Sequence, residues 1–329
     1  MSKAPEEKPT GSQIATYLII AIILTIITYG IMATLHLGAY GIEFPLVGFL
    51  LGLAVSATMK PPRQVFRVLN PWVLVDASLI ILGLIEPFRE LGALGGKAGE
   101  IAIVNIVVTL AVGMFIAYKL GIDERFAVTF VSGGTVCGIS AAIATGRAAN
   151  AEFAHLVMAM LFIAILGAPF AVFAAWAAHH LGAFGAALVG GVVDGTPMVL
   201  SIAKSLPANL GKIATAVKFA QDALIPIVAI VLAYVASRLS GLEIKLPLAI
   251  VLMFIMAIIG SFIHLPAAVA AGLHSARSWL LALAMVLAGM ATPPSMLKKL
   301  GVKIAIGVFI IVEIVNTIVV ALMAAALLG

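Results

Sequence analysis

What this chain has least of is charge. Only 10% of its 329 residues are Asp, Glu, Lys or Arg, too few to coat a water-soluble domain of that size. Cysteine is almost absent too: a lone Cys137 excludes an intrachain disulfide and a cysteine metal cluster, and leaves the redox compartment open. Aromatic residues make up 7% and do not interleave with basic ones. The net charge of +5 therefore describes no nucleic-acid surface, and no nucleic-acid partner is expected. There is no HExxH motif, no nucleotide-binding loop and no clear serine–histidine helix pair. His36, His155, His179, His180, His264 and His274 form no i, i+4 metal pair and fall mostly at helix ends, where interfacial roles suit them. Together these absences argue against an enzyme, a nucleotide-driven pump, a bound metal or a cofactor.

What is present is apolar. Hydrophobic residues reach 63% and the mean hydropathy is +1.22, so the expected fold is an all-α polytopic membrane protein with the lipid bilayer as its main partner. A span needs about 20 apolar residues. Eleven segments qualify: 14–35, 42–58, 72–88, 101–118, 126–146, 153–178, 182–203, 213–237, 247–265, 278–297 and 302–328. Residues 1–13 form a polar tail. The run from Ile14 to Leu35 is too long for a signal-peptide core and lacks a small-residue cleavage site, so it reads as the first helix. The loops are short, and residues 14–329 read as one transmembrane transporter domain. Lys60, Arg63 and Arg67, then Arg238 and Lys245, then Lys298, Lys299 and Lys303 make three basic loops. The positive-inside rule puts these loops, and the N-terminus, in the cytoplasm of an inner or plasma membrane.

Internal matches indicate duplication. Gly133-Gly134-Thr135-Val136-Cys137-Gly138 is echoed 57 residues later by Gly190-Gly191-Val192-Val193-Asp194-Gly195, with Arg147 echoed by Lys204 and Pro169 by Pro226. The units are 126–173 and 183–230. A second match pairs 72–119 with 278–325: Trp72 and Trp279 open helices ending in Pro87 and Pro293, and the next helices carry Asn105 and Asn316. The two Trp helices point in opposite directions under this topology, as an inverted repeat demands. The glycine units fit inversion only if 126–146 and 182–203 are re-entrant hairpins or broken helices; two straight glycine-bearing helices are the alternative.

Breaks of this kind free backbone N–H and C=O groups that lipid cannot satisfy. Glycine lets a ligand come close, and a half-helix N-terminus attracts an anion. Gly133, Gly134, Thr135, Cys137 and Ser140 at the first break, with Gly190, Gly191, Asp194 and Thr196 at the second, are the candidate substrate-binding set. Close helix packing is the competing reading of the glycines. Lys218 and Asp222 lie four apart on one helix face, near Gln221, and read as either a structural ion pair or a working one. Lys218 is the only obvious buried cation and would meet the substrate's charge. Asp194, Asp222 and Glu313, which shares a face with Asn316, are the candidates for a coupling proton or ion. Asp76 is a weaker buried candidate.

These residues resemble a family. The runs Gly121-Ile122-Asp123 to Ala142 and Val189 to Asp194 are similar to the YeiH-type family of proposed sulfate exporters. So are Ala216-Val217-Lys218 with Pro226, and Ala282 to Gly301, and the likeness spans nearly the whole chain after the first helix. It implies an inverted-repeat secondary transporter related to bile-acid, arsenite and cation–proton carriers. Where that family has a histidine followed by an acid, this chain reads Asp194-Gly195, and a usual basic position is Gln221. The expected activity is export or exchange of a small anion of the sulfate, sulfite or organosulfonate type by alternating access. A cation- or proton-coupled organic-acid importer and a passive anion channel are the alternatives. A homodimer is compatible with all three.

Overall fold

The computed structural model describes residues 9–40, 42–240, 246–297 and 302–329. Those residues are helical, with no β-strand among them. The chain is a polytopic all-α membrane protein. The helices are α1 (Gly11–Leu35), α2 (Phe44–Met59), α3 (Val65–Val68), α4 (Pro71–Ile85), α5 (Lys97–Lys119), α6 (Glu124–Ser132), α7 (Ile139–Ala148), α8 (Phe153–Leu166) and α9 (Ala168–His180). They continue as α10 (Gly182–Val192), α11 (Thr196–Ser205), α12 (Ala208–Ala223), α13 (Ile225–Ser240), α14 (Leu248–Phe262), α15 (Ala267–Ala291), α16 (Pro294–Leu297) and α17 (Val302–Leu328). Lys245, Lys298, Lys299 and Gly301, which carry two of the basic loops, lie outside the described residues.

The eleven apolar segments resolve into fewer straight spans. Among the described residues, five helices are long and apolar enough to cross a membrane, or up to seven spans if each of two bent pairs is one span. The pairs are α8 with α9, bent by 42°, and α12 with α13, bent by 43°. Pro169 and Pro226 lie just past these bends, where their missing N–H groups cost least. α2 and α14 are apolar but short: at about 1.5 Å per residue, 16 residues reach only about 24 Å.

Segments 126–146 and 182–203 each fold back on themselves as a hairpin. In the first, Arg125 Nη1 donates to Asn150 O (3.4 Å), Thr145 Oγ1 to Val128 O (3.3 Å), and the Ser132 and Thr145 hydroxyls bond at 2.7 Å. Rising numbers on one arm meet falling numbers on the other, so α6 and α7 are the antiparallel arms of a hairpin. A π-helical turn, Gly133–Cys137, and Gly138 at φ +74° form its tip. In the second, α10 runs beside α12 in the same direction: a Cβ at Gly190 would strike the Ala214 carbonyl, and Thr196 Oγ1 reaches Asp222. α11 then returns to the start of α12, where Gly211 abuts the Ala203 carbonyl.

The hairpins enter from opposite ends. Arg147, at the mouth of the first, grips Asp76 near the start of α4; Lys204, at the mouth of the second, shares a surface groove with Glu90, beyond the end of α4. Their tips meet: a Cβ at Gly138 would lie 2.9 Å from Asp194 O. The helices that hold them fall into two groups. α1, α2, α4, α14 and α15 pack together, while α5, α8, α9, α12, α13 and α17 enclose the hairpins. The Trp-bearing helices α4 and α15 run antiparallel, as do α5 and α17, joined by Lys97 Nζ to Leu327 O and Asn105 Nδ2 to Asn316 Oδ1.

Candidate functional site

Half-helices that stop at the same depth present opposite partial charges: C-terminal carbonyls from α10 and the π turn, N-terminal amides from α7 and α11. Lys218 meets the carbonyls. Its ammonium, 1% exposed, donates to Val136 O (3.3 Å), Val193 O (2.9 Å) and Asp194 O (2.9 Å), pinning both tips together. An ammonium has three donors, and all three are used here. The sequence-based pairing of Lys218 with Asp222 is not made. Asp222 accepts from Thr196 Oγ1 at 2.8 Å, and its Oδ1 is buried without a hydrogen bond among the described residues.

Several residues read as substrate-binding sit in packing positions. Gly133 makes room for Ile163, Gly190 for α12 and Gly191 for Val320; Gly134 lies against Phe309 and Glu313. Their freed carbonyls are satisfied by protein. Gly191 O accepts from Gln221 Nε2 (3.0 Å) and Gly134 O from Asn316 Nδ2 (3.3 Å). Thr135 Oγ1 is spent on Val131 O (2.7 Å), and the buried Cys137 thiol lies beside Asp222. Backbone that sequence reasoning offers to a ligand is thus capped by Lys218, Gln221 and Asn316.

Two features face inward with polar groups unspent. The first is a carboxyl pair: Asp194 and Glu313 lie close to each other, both buried, Glu313 at 0% exposure. Neither Glu313 oxygen has an N–H or O–H donor among the described residues, and neither does Asp194 Oδ2. Two carboxyls buried side by side resist ionising together, because like charges at close range repel. Behind it runs a polar chain from Asn316 to Asn105 and Thr109. Gly134 and Gly167 keep the space: a Cβ would lie 2.8 Å from Glu313 Oε1 in one case and 2.7 Å from Asp194 Oδ2 in the other.

The second is a cavity of about 380 Å³ between the two helix groups. Ser140, Thr196 and Asp222 line it from the hairpin side; Glu43, Glu86, His274 and Arg277 line it from the other. Ser140 and Thr196 stand in the first turns of α7 and α11, so both half-helix N-termini open here. Arg277 Nη2 donates to Ser140 Oγ at 2.7 Å, while its Nε is buried and unpartnered among the described residues.

Sequence reasoning missed Arg277, Glu43, Glu86 and the place of His274. Each looks like a helix-end or mid-helix residue with no partner at short spacing, and only the packing of α15 and α2 turns them toward the hairpins. Asp76, read as buried, is instead a partly exposed bidentate partner of Arg147 (2.6 and 2.9 Å), whose guanidinium lies over Trp72.

Comparison with known proteins follows from this geometry. The family model described as Conserved hypothetical protein 698 matches residues 15–308. The UPF0324 inner membrane protein YeiH of Escherichia coli (strain K12) is 25% identical over 278 residues, covering 78% of either chain. The corresponding protein of Salmonella typhimurium is 24% identical over 279 residues, again 78% of each. A UPF0324 membrane protein of Haemophilus influenzae is 25% identical over 293 residues, 82% of this chain and 85% of its own. No solved structure matches.

Proposed function

The chain belongs to the family of Conserved hypothetical protein 698, with YeiH among its relatives, and on its geometry we propose that it is a secondary active transporter exporting or exchanging a small anion by alternating access. The observation that carries this reading is the meeting of two hairpins from opposite ends beside a polar cavity, which is the architecture of a carrier's central site. Sulfate, sulfite and organosulfonates are the candidate substrates. The anionic group is read by Arg277, Ser140 and the N-terminal amides of α7, where hydrogen bonds and helix dipole act together. Lys218 serves the anion indirectly, by holding the tips in place.

Coupling falls to Asp194 and Glu313. In this reading the buried pair takes up a proton and releases it when the hairpin tips move and water reaches it. Asp222, bonded to Thr196, responds to the same movement. The basic loop at 60–67 is assigned to the cytoplasm, so the cavity opens toward the outside and the Asp76–Arg147 clasp closes the inner end.

A proton-coupled organic-acid importer is the second reading, favoured by the same carboxyl pair. Proteoliposomes loaded with labelled sulfate, sulfite or an organosulfonate test both. Saturable exchange and acceleration by a pH gradient are expected; the direction of that gradient separates exporter from importer. Non-saturable flux without exchange would mean a channel.

A further inference from the structure

Charge in the cavity is of both signs, and little of it is spent. Arg277 keeps a buried, unpartnered Nε at one wall. Glu43 and Glu86 line the cavity from the same helix group as Arg277, with no ion pair or side-chain hydrogen bond among the described residues, and Asp222 adds its free Oδ1 from the hairpin side. Glu86 is 8% exposed and Asp222 3%. A plain dianion would find one guanidinium and three acids, an arrangement that repels it. No cation forms an ion pair with any of the three among the described residues, so they are not held in a structural salt-bridge network. Unpaired buried charge is costly in the resting protein and falls in cost when a ligand supplies the complement.

We propose that the cavity's substrate is a small zwitterion, carrying an acidic group at one end and an ammonium at the other. The acidic group lies against Arg277, Ser140 and the start of α7; the ammonium lies between Glu43 and Glu86. About 380 Å³ has room for a small solute of this kind together with water. The inference rests on the carrier reading above and narrows its substrate class: the sulfonate or carboxylate is retained and a cationic end is added.

The test uses the full chain in nanodiscs and three probes: taurine, a short aminosulfonate; isethionate, its analogue with hydroxyl in place of ammonium; and sulfate. Binding is measured by competition against labelled taurine, and counterflow of each probe is measured in proteoliposomes. Taurine should bind at least about tenfold more tightly than isethionate or sulfate, because a lost charged hydrogen bond leaves buried acids unpaired. Glu86→Gln and Glu43→Gln should remove most of that preference, weakening taurine binding and, with one repelling carboxylate gone, strengthening isethionate binding, and elution as a single folded species by size exclusion checks each variant. Isethionate or sulfate binding as well as taurine, or no binding of any probe, overturns the zwitterion. If sulfate counterflow persists in that case, the carrier reading stands by itself. Taurine binding without any counterflow has the reverse meaning: the zwitterion site holds and the carrier reading fails.

Discussion

Lys218 is the residue whose chemistry departs furthest from its sequence context. Its spacing to Asp222 invites an ion pair, yet its three donors all go to main-chain carbonyls of the two tips. Removing it leaves buried carbonyls unpaired, at about 1–3 kcal/mol each. Lys218→Met is therefore expected to lower the thermal unfolding midpoint in detergent, and adding Asp222→Leu should give no rescue. Recovery of stability in the double variant would restore the ion-pair reading. The Asp194–Glu313 pair leads to a different expectation. Asp194→Asn and Glu313→Gln are close in size and let an amide donate to the remaining carboxyl, but the amide itself cannot carry a proton. Each should fold and retain substrate exchange while losing flux driven by a pH gradient; gradient-driven flux in both would move coupling to Asp222.

The hairpins are the elements that decide the architecture. Glycine at position 138 is required by geometry, since its φ of +74° and its approach to Asp194 O exclude a side chain. The mouth of the first hairpin brings Arg125 to Asn150, and that of the second brings Ser205 near the start of α12. Single cysteines at Arg125 and Asn150, in a Cys137→Ala background, should react with an impermeant thiol reagent from one side only. A cysteine at Ser205 should react from the other. Opposite labelling of positions 125 and 150 would mean a full crossing and would undo the hairpin. The glycine echo revealed that something is repeated here, but it could not separate a hairpin from a crossing. Direction depends on contacts between arms, such as Thr145 with Val128, that lie far apart in the chain.

At the scale of the whole molecule, two helix groups share the cavity and few polar bridges join them. At one end stands Arg277 with Ser140; at the other, Arg147 holds Asp76 and stacks on Trp72, which in turn stacks on Phe153. A partly exposed pair of this kind contributes about 1 kcal/mol or less, enough to bias two states by roughly fivefold. Asp76→Asn is expected to raise labelling of a cysteine at Ser140 from the cytoplasmic side; unchanged labelling would deny the clasp a gating role. Orientation is checked separately. A cysteine at Arg63 should be protected from external reagent in intact cells and one at Lys97 should be reached; the reverse pattern would invert the topology.

Hydropathy alone determined that this chain is helical and membrane-embedded, because residues so apolar have no stable alternative to burying their backbone hydrogen bonds in helices. Repetition of the glycine units marked where those helices break. Asp194, Thr196, Ser140, Lys218, Asp222 and Glu313 were legible as buried polar residues near the breaks, since polar atoms in such surroundings are too costly to be idle. Which of them face one another was left to the tertiary structure. Asp194 meets Glu313, more than a hundred residues away; Lys218 turns to carbonyls; Arg277, Glu43 and Glu86 gather from three separate helices. Spacing along one helix orders its faces, but only packing between helices sets which faces meet, and the cavity exists solely in those meetings.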